Sequence, residues 1–286
     1  MTPHQKSRAL ARMQTRLTLR GLSPSTHATY QRMARQFLDA VNKTPGRVTR
    51  GDVERYLLGL LTAGKSVSTR NTALAAIRFL LRSSTRRDVT VGMPRCKRRR
   101  ELATVLSGAE IERLLEATQS AKYRAIFMLA YGAGLRVSEV RHLCVQDIDS
   151  QRGLIHIRHG KTGERYAPLG NRMLAALRAY WKAQHPPGPE LFPGRGQRVL
   201  SRAAINKVLT KVAHQAGIEK RVTPHTFRHS FATHLLDTGV DVRSVQVLLG
   251  HACIESTARY LHLSTQRIAG LPSPLDLIGT PRGRRL

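Results

Sequence analysis

The sequence predicts a mainly α chain of two domains: an N-terminal helical bundle, then an α+β domain containing one small β-hairpin or sheet. Three observations predict it. The chain has 286 residues, and at roughly 150 residues per domain two domains are expected. Apolar residues recur at helical spacing behind capping signals along most of the chain. One stretch, residues 153–169, switches instead to alternation. Hydrophobic residues make up 41% of the chain, enough for a packed core, which argues against global disorder.

Taken in order, Ser23-Pro24 offers an N-cap and a proline for the first helical position, with Tyr30, Met33, Phe37 and Val41 at helical spacing behind it. Thr49-x-x-Asp52 opens the next helix, with Val53, Tyr56, Leu57, Leu60 and Leu61 on one face. Ser68 begins another, with Leu74, Ile77, Phe79, Leu80 and Leu81 as its core side. A helix before Ser23 would complete a four-helix module over residues 1–87. Periodicity then breaks around Gly92, Pro94 and a dense basic run, which predicts an extended basic linker over 88–104. The second domain, 105–286, opens on the capping box Ser107-x-x-Glu110. An apolar helix over 121–131 ends at Gly132 and Gly134, and a short helix follows over Val137–Leu143. The hairpin carries Lys161 in or beside its turn, in GKTGER. Helices are expected at about 170–184, 201–216, 224–237, 241–249 and 253–263, with a loop over 186–196 and a C-terminal tail from about 265.

Charge narrows the function. Lys and Arg number 48 against 18 Asp and Glu, a net charge of +30. Residues 1–95 carry +14, residues 96–100 add +4 and residues 101–286 carry +12. A polyanionic partner is expected, and the spread over both halves favours DNA over a membrane-binding patch, which is usually one cluster or one helix face. No apolar run reaches the ~18 residues of a membrane span, and the N-terminus lacks the apolar core of a secretory signal. Cys96, Cys144 and Cys253 are odd in number and far apart, so neither a disulfide framework nor a C-x-x-C metal pair is expected. The natural setting is a reducing one, the cytoplasm, on the nucleoid when bound to DNA.

Several short segments carry chemistry. In TPHTFRHSFATHLL (223–236), His225 and Arg228 share a helix face. Together they suit a phosphate, since a guanidinium offers two parallel hydrogen bonds to phosphate oxygens. Alone, they also suit a basic surface helix. A zinc site on His225 and His229 is disfavoured, because the H-E-x-x-H spacing is missing and no Cys or acidic residue lies nearby. In LLGHACIESTARYLHL (248–263), His251 follows Gly250, and Tyr260 lies nine residues later. A turn near His251 is needed to bring both to one point.

Read as an ordered set, Arg136 in GAGLRVSEVRHL, Lys161 in GKTGER, His225, Arg228, His251 and Tyr260 resemble the tyrosine recombinases, the phage integrase family. The match is close over residues 107–263, and the front half resembles the family's SAM-like core-binding domain in position and character. The layout is similar to the two-domain Xer type, a clamp around DNA without an added arm-binding domain. The resemblance implies a site-specific DNA recombinase or integrase. Tyr260 would be the nucleophile, leaving a 3′-phosphotyrosyl link and a free 5′-hydroxyl. His225 would assist proton transfer, and Arg136 and Arg228 would hold the non-bridging oxygens. His251 would add a hydrogen bond, and Lys161 would protonate the departing 5′-oxygen. No cofactor and no metal are implied. The implied partners are DNA and a homo-tetramer on DNA, monomeric or dimeric when free; accessory proteins stay open.

Glu139 and His229 are expected to support the site rather than to react. GKTGER departs from the many relatives that carry a second glycine after the lysine. Leu275–Ile278 is either an apolar peg for a neighbouring protomer or local packing. Two other functions share parts of this pattern: strand relaxation of the type IB topoisomerase kind, and DNA binding without catalysis. Transposase differs from integrase in biological role, not in chemistry.

Overall fold

Four capped helices build the first unit. The computed structural model describes residues 1–85, 88–97, 104–160, 163–194, 196, 199–250, 273 and 275, and divides into Met1–Glu101 and Leu102–Leu286. Helix α1 (Pro3–Leu19) is capped by Thr2 and Gln5, and buries Met13 and Leu17. Helix α2 (Pro24–Val41) starts at the Ser23 cap and ends at Asn42 in the left-handed region. Helix α3 (Arg50–Thr62) starts at the Thr49–Asp52 box. Helix α4 (Val67–Ser84) starts two residues earlier than Ser68, because the Ser66 hydroxyl is the one that accepts from the Thr69 N–H. Phe37, Leu38, Val53, Ile77 and Leu80 form the centre. Leu61, expected on the core face, is exposed.

The segment after α4 is not simply extended. Thr90 and Met93 are buried, and Arg78 donates to the carbonyls of both. The Asn71 side chain exchanges two 2.9 Å hydrogen bonds with the Cys96 backbone. Residues 88–96 are thus held to α4, because buried backbone groups take hydrogen-bond partners where side chains supply them.

The second unit packs around α6 (Ala121–Gly132), whose residues Ala125–Gly132 are all buried. A helix apolar on every side belongs at the centre of a core. Helix α5 (Gly108–Ala117) starts at the expected Ser107–Glu110 box. Helix α7 (Val137–Arg141) is a short turn after Arg136. The sheet has three antiparallel strands in the order β1–β2–β3: Ile148–Asp149, Leu154–Ile157 and Arg165–Pro168. The hairpin register pairs Leu154 with Pro168 and Ile157 with Arg165. The two-residue strand β1 is additional to the expected hairpin. Helices α8 (Asn171–Gln184), α9 (Arg202–Gln215), α10 (Pro224–Asp237) and α11 (Val242–Leu249) follow. The expected helix over 253–263 lies outside the described residues. Phe127 of α6 stacks on Phe227 of α10 with ring centroids 5.6 Å apart.

Of the tail, Leu275 is fully buried in this same core. Ser273 Oγ donates to the Gly132 carbonyl, and Arg172 donates to the Leu275 carbonyl, both at 2.8 Å. Leu275 therefore packs locally, on its own chain. Among the described residues no helix is long and apolar enough to cross a membrane.

Candidate active site

The site grows from the chain reversal after α6. Gly134 sits at φ +61°, and a Cβ there would lie 2.6 Å from the Phe231 ring. Glycine satisfies both conditions at once. The reversal delivers Arg136 to the N-cap of α7, where its side chain does not cap the helix. Glu139 does the work from the other end: its Oε2 accepts from the Arg136 N–H at 2.8 Å, and its Oε1 from Arg136 Nη1 at 2.8 Å.

Arg228 enters from α10, and Arg165 from the start of β3. Arg165 donates through Nη1 and Nη2 to both oxygens of Glu139, each at 2.8 Å. Arg228 Nη1 donates to the Gly134 carbonyl at 2.7 Å. The three arginines then converge on the end of α11. Arg165 Nε donates to the Leu248 carbonyl at 2.9 Å, Arg228 Nη2 to that of Leu249, and Arg136 Nη2 to that of Gly250 at 2.9 Å. The last carbonyls of a helix lack intrahelical donors and carry its negative end, so they attract cations. Gly250 ends the helix in the left-handed region, and His251 comes next in the chain.

The electrostatics follow from this crowding. Burial holds the Arg228 guanidinium down to about 9, with help from Arg136 and Arg165, while Glu139 works the other way; it stays charged at neutral pH. Burial alone would raise Glu139, but Arg165 and then Arg136 outweigh it and keep the carboxyl below the usual range. His225 lies exposed on the first turn of α10. Partial desolvation, then the charges of Arg202, His229, Arg228 and Arg136, lower its pKa from the ordinary 6.5. A neutral imidazole beside two guanidiniums can accept a proton near a bound anion.

Of the six expected residues, the structure gathers Arg136, His225 and Arg228 around one point. Lys161, His251 and Tyr260 lie outside the described residues. The turn that contains Lys161 is closed by a hydrogen bond from the Gly163 N–H to the Gly160 carbonyl at 3.2 Å. His229 is exposed and neighbours His225 electrostatically. Arg165 was not foreseen: its partners are 26 and 83 residues away in the chain. The only sequence signal was its place in GKTGER, two residues after the hairpin turn. Among the described residues no three His, Cys, Asp or Glu side chains group as a metal site.

Comparison with known proteins bears on this arrangement. Residues 104–267 match the model of the phage integrase family, and residues 10–90 that of the phage integrase N-terminal SAM-like domain. The tyrosine recombinase XerD of Oceanobacillus iheyensis is 34% identical over 270 residues, covering 87% of this chain and 91% of that protein. The crystal structure of a XerA recombinase is similar at 30% identity and a TM-score of 0.50, covering 90% of this chain and 94% of that one. A lambda integrase tetramer bound to a Holliday junction shares the fold at a TM-score of 0.70 and 18% identity, covering 86% of this chain and 76% of that one.

Proposed function

The chain belongs to the phage integrase family, as a site-specific tyrosine recombinase that breaks and rejoins DNA, and on that premise we propose that Arg136, Lys161, His225, Arg228, His251 and Tyr260 carry its reaction. The Tyr260 oxygen attacks the scissile phosphorus, and the bond from phosphorus to the 5′-oxygen breaks. The phenol proton passes towards His225, and Lys161 delivers one to the departing oxygen. A phenol of ordinary pKa near 10 needs such help at neutral pH. Arg136 and Arg228 hold the non-bridging oxygens and stabilise the charge that gathers on them, with His251 adding a hydrogen bond. The phosphotyrosyl bond keeps the phosphodiester energy for rejoining when a 5′-hydroxyl attacks in reverse.

The observation that carries this reading is the convergence of two buried or half-buried guanidiniums and a low-pKa imidazole, with Glu139 the one carboxylate bonded to them among the described residues. Such an excess of positive charge suits a phosphodiester. The +30 net charge supports DNA as the partner. By analogy with the integrase on a Holliday junction, the working assembly is a homo-tetramer on two DNA sites, formed from free monomers or dimers. In this reading residues 1–87 bind the core site, 88–104 link, 105–286 catalyse and the two domains close on DNA as a clamp. The protein works in the cytoplasm. Its DNA affinity should fall steeply with salt, as each neutralised phosphate releases counterion.

The test is the covalent adduct. Wild type and Tyr260→Phe are mixed with nicked fragments of the source genome, and SDS-stable complexes are sequenced. Adducts at a defined site, absent with the variant, are expected. Scattered adducts with relaxation of supercoils would point to topoisomerase-like action. Tight, salt-sensitive binding without adducts would reduce the protein to a DNA-binding role.

A further inference from the structure

We propose that Arg165 is a positioning residue that fixes the Lys161-bearing hairpin turn and thereby governs the leaving-group step. The inference rests on Lys161 being the acid of that step. Arg165 has no donor atom to spare for DNA: Nη1 and Nη2 are spent on Glu139, and Nε on the Leu248 carbonyl. Its side chain is 9% exposed, against 17% for Arg136. It therefore acts through the groups it holds.

Which group depends most on it follows from who else holds each one. Glu139 keeps Arg136 if Arg165 is lost. The end of α11 keeps Arg228 on Leu249 and Arg136 on Gly250. The hairpin turn has less support. It begins at Gly160, where a Cβ would lie 2.3 Å from the Gly163 carbonyl oxygen and 3.5 Å from Arg165 Nη1. The turn thus closes directly over the Arg165 guanidinium. Arg165 is also the first residue of β3, paired with Ile157, so its backbone is one leg of the same hairpin. Among the described residues, the bridge from the base of this turn to α7 and α11 is the Arg165 side chain.

The experiment compares two leaving groups. Single-turnover cleavage is measured on a nicked synthetic duplex built on the cleavage site recovered from the adducts. The same duplex is then made with sulfur in place of the departing 5′-oxygen. A thiol has a pKa near 8.5, so a thiolate leaves without an acid. On the oxygen duplex, Arg165→Gln is expected to slow cleavage about 100-fold, within the usual worth of a positioned acid. On the sulfur duplex the deficit should shrink to about threefold or less. Lys161→Ala should show the same pattern, and Arg136→Ala should stay slow on both. Arg165→Lys, which keeps the charge beside Glu139 but loses the fork, should show a smaller oxygen-specific loss and guards against misfolding of the glutamine variant. Equal deficits of both Arg165 variants on the two duplexes, with Lys161→Ala restored by sulfur, would overturn the proposal. If sulfur restores neither Lys161→Ala nor the Arg165 variants, Lys161 is not the acid, and the proposal falls with that assignment.

Discussion

Asp52 in the first unit and Glu139 in the second occupy the same place in the same device. Each is the third residue of its helix, and each accepts from the N–H of the N-cap residue, at 2.9 Å from Thr49 and 2.8 Å from Arg136. Around Asp52 the device is complete in itself. Thr49 returns the hydrogen bond with its hydroxyl, and Lys43, half exposed, neutralises the carboxylate at 2.9 Å. The Lys43 hydrogen bond first, and the Thr49 amide next, hold Asp52 at about 2. Around Glu139 the cap residue is an arginine, which cannot return the bond, and the carboxylate is 1% exposed. Two guanidiniums take the free positions. The difference teaches how a local stabilising motif becomes a site. Replacing the capping hydroxyl with a guanidinium gives up part of a helix cap, and burying the acid turns it into a clamp for positive charge.

The contrast can be broken by paired substitutions. Arg136→Ala is expected to slow strand cleavage by about 10³-fold, as for loss of one transition-state donor, measured in single turnover. Its counterpart Thr49→Ala should leave cleavage intact and cost about 1 kcal/mol of stability. A similar cleavage loss for both would erase the distinction. Glu139→Gln should destabilise the second unit by about 3 kcal/mol, since it leaves buried arginines short of their counter-charge. It should also slow cleavage ~10–100-fold at temperatures where the protein is folded. Asp52→Asn should lower the denaturation midpoint of the first unit by about 1–2 kcal/mol, with cleavage unchanged.

Titration sharpens the contrast with smaller effects. Asp52 is depressed from 3.8 to about 2, so its contribution is complete above about pH 4 and is lost as pH falls towards 2. Acid unfolding of the first unit should therefore lose part of its pH slope in Asp52→Asn. His225 is needed neutral, and its pKa lies below 6.5. Cleavage should rise with pH along a limb placed below 6.5, and its persistence unchanged in His225→Ala would remove His225 from the proton path.

Much of the fold was legible because its signals are local. Ser23 with Pro24, Thr49 with Asp52 and Ser107 with Glu110 each lie within one helical turn, where the chain brings the partners together unaided. Even there, Ser66 and Ser68 are alike as residue types, and only hydroxyl geometry selected Ser66. Strand β1 is two residues long, too short for any periodicity to announce. The hold of Asn71 on Cys96 and of Arg78 on Met93 joins segments that composition alone reads as helix and linker.

The sequence by itself determined the helices, the hairpin, the basic character and the ordered set of reactive residue types that marks the family. Their spacing is a property of the chain and survives without coordinates. Only the tertiary structure decided that Arg165 completes the clamp on Glu139, that three arginines share the last three carbonyls around the end of α11, and that Leu275 packs on its own chain. The physical reason is burial. A charge removed from water must find its partner wherever packing brings one, and that partner can stand any number of residues away.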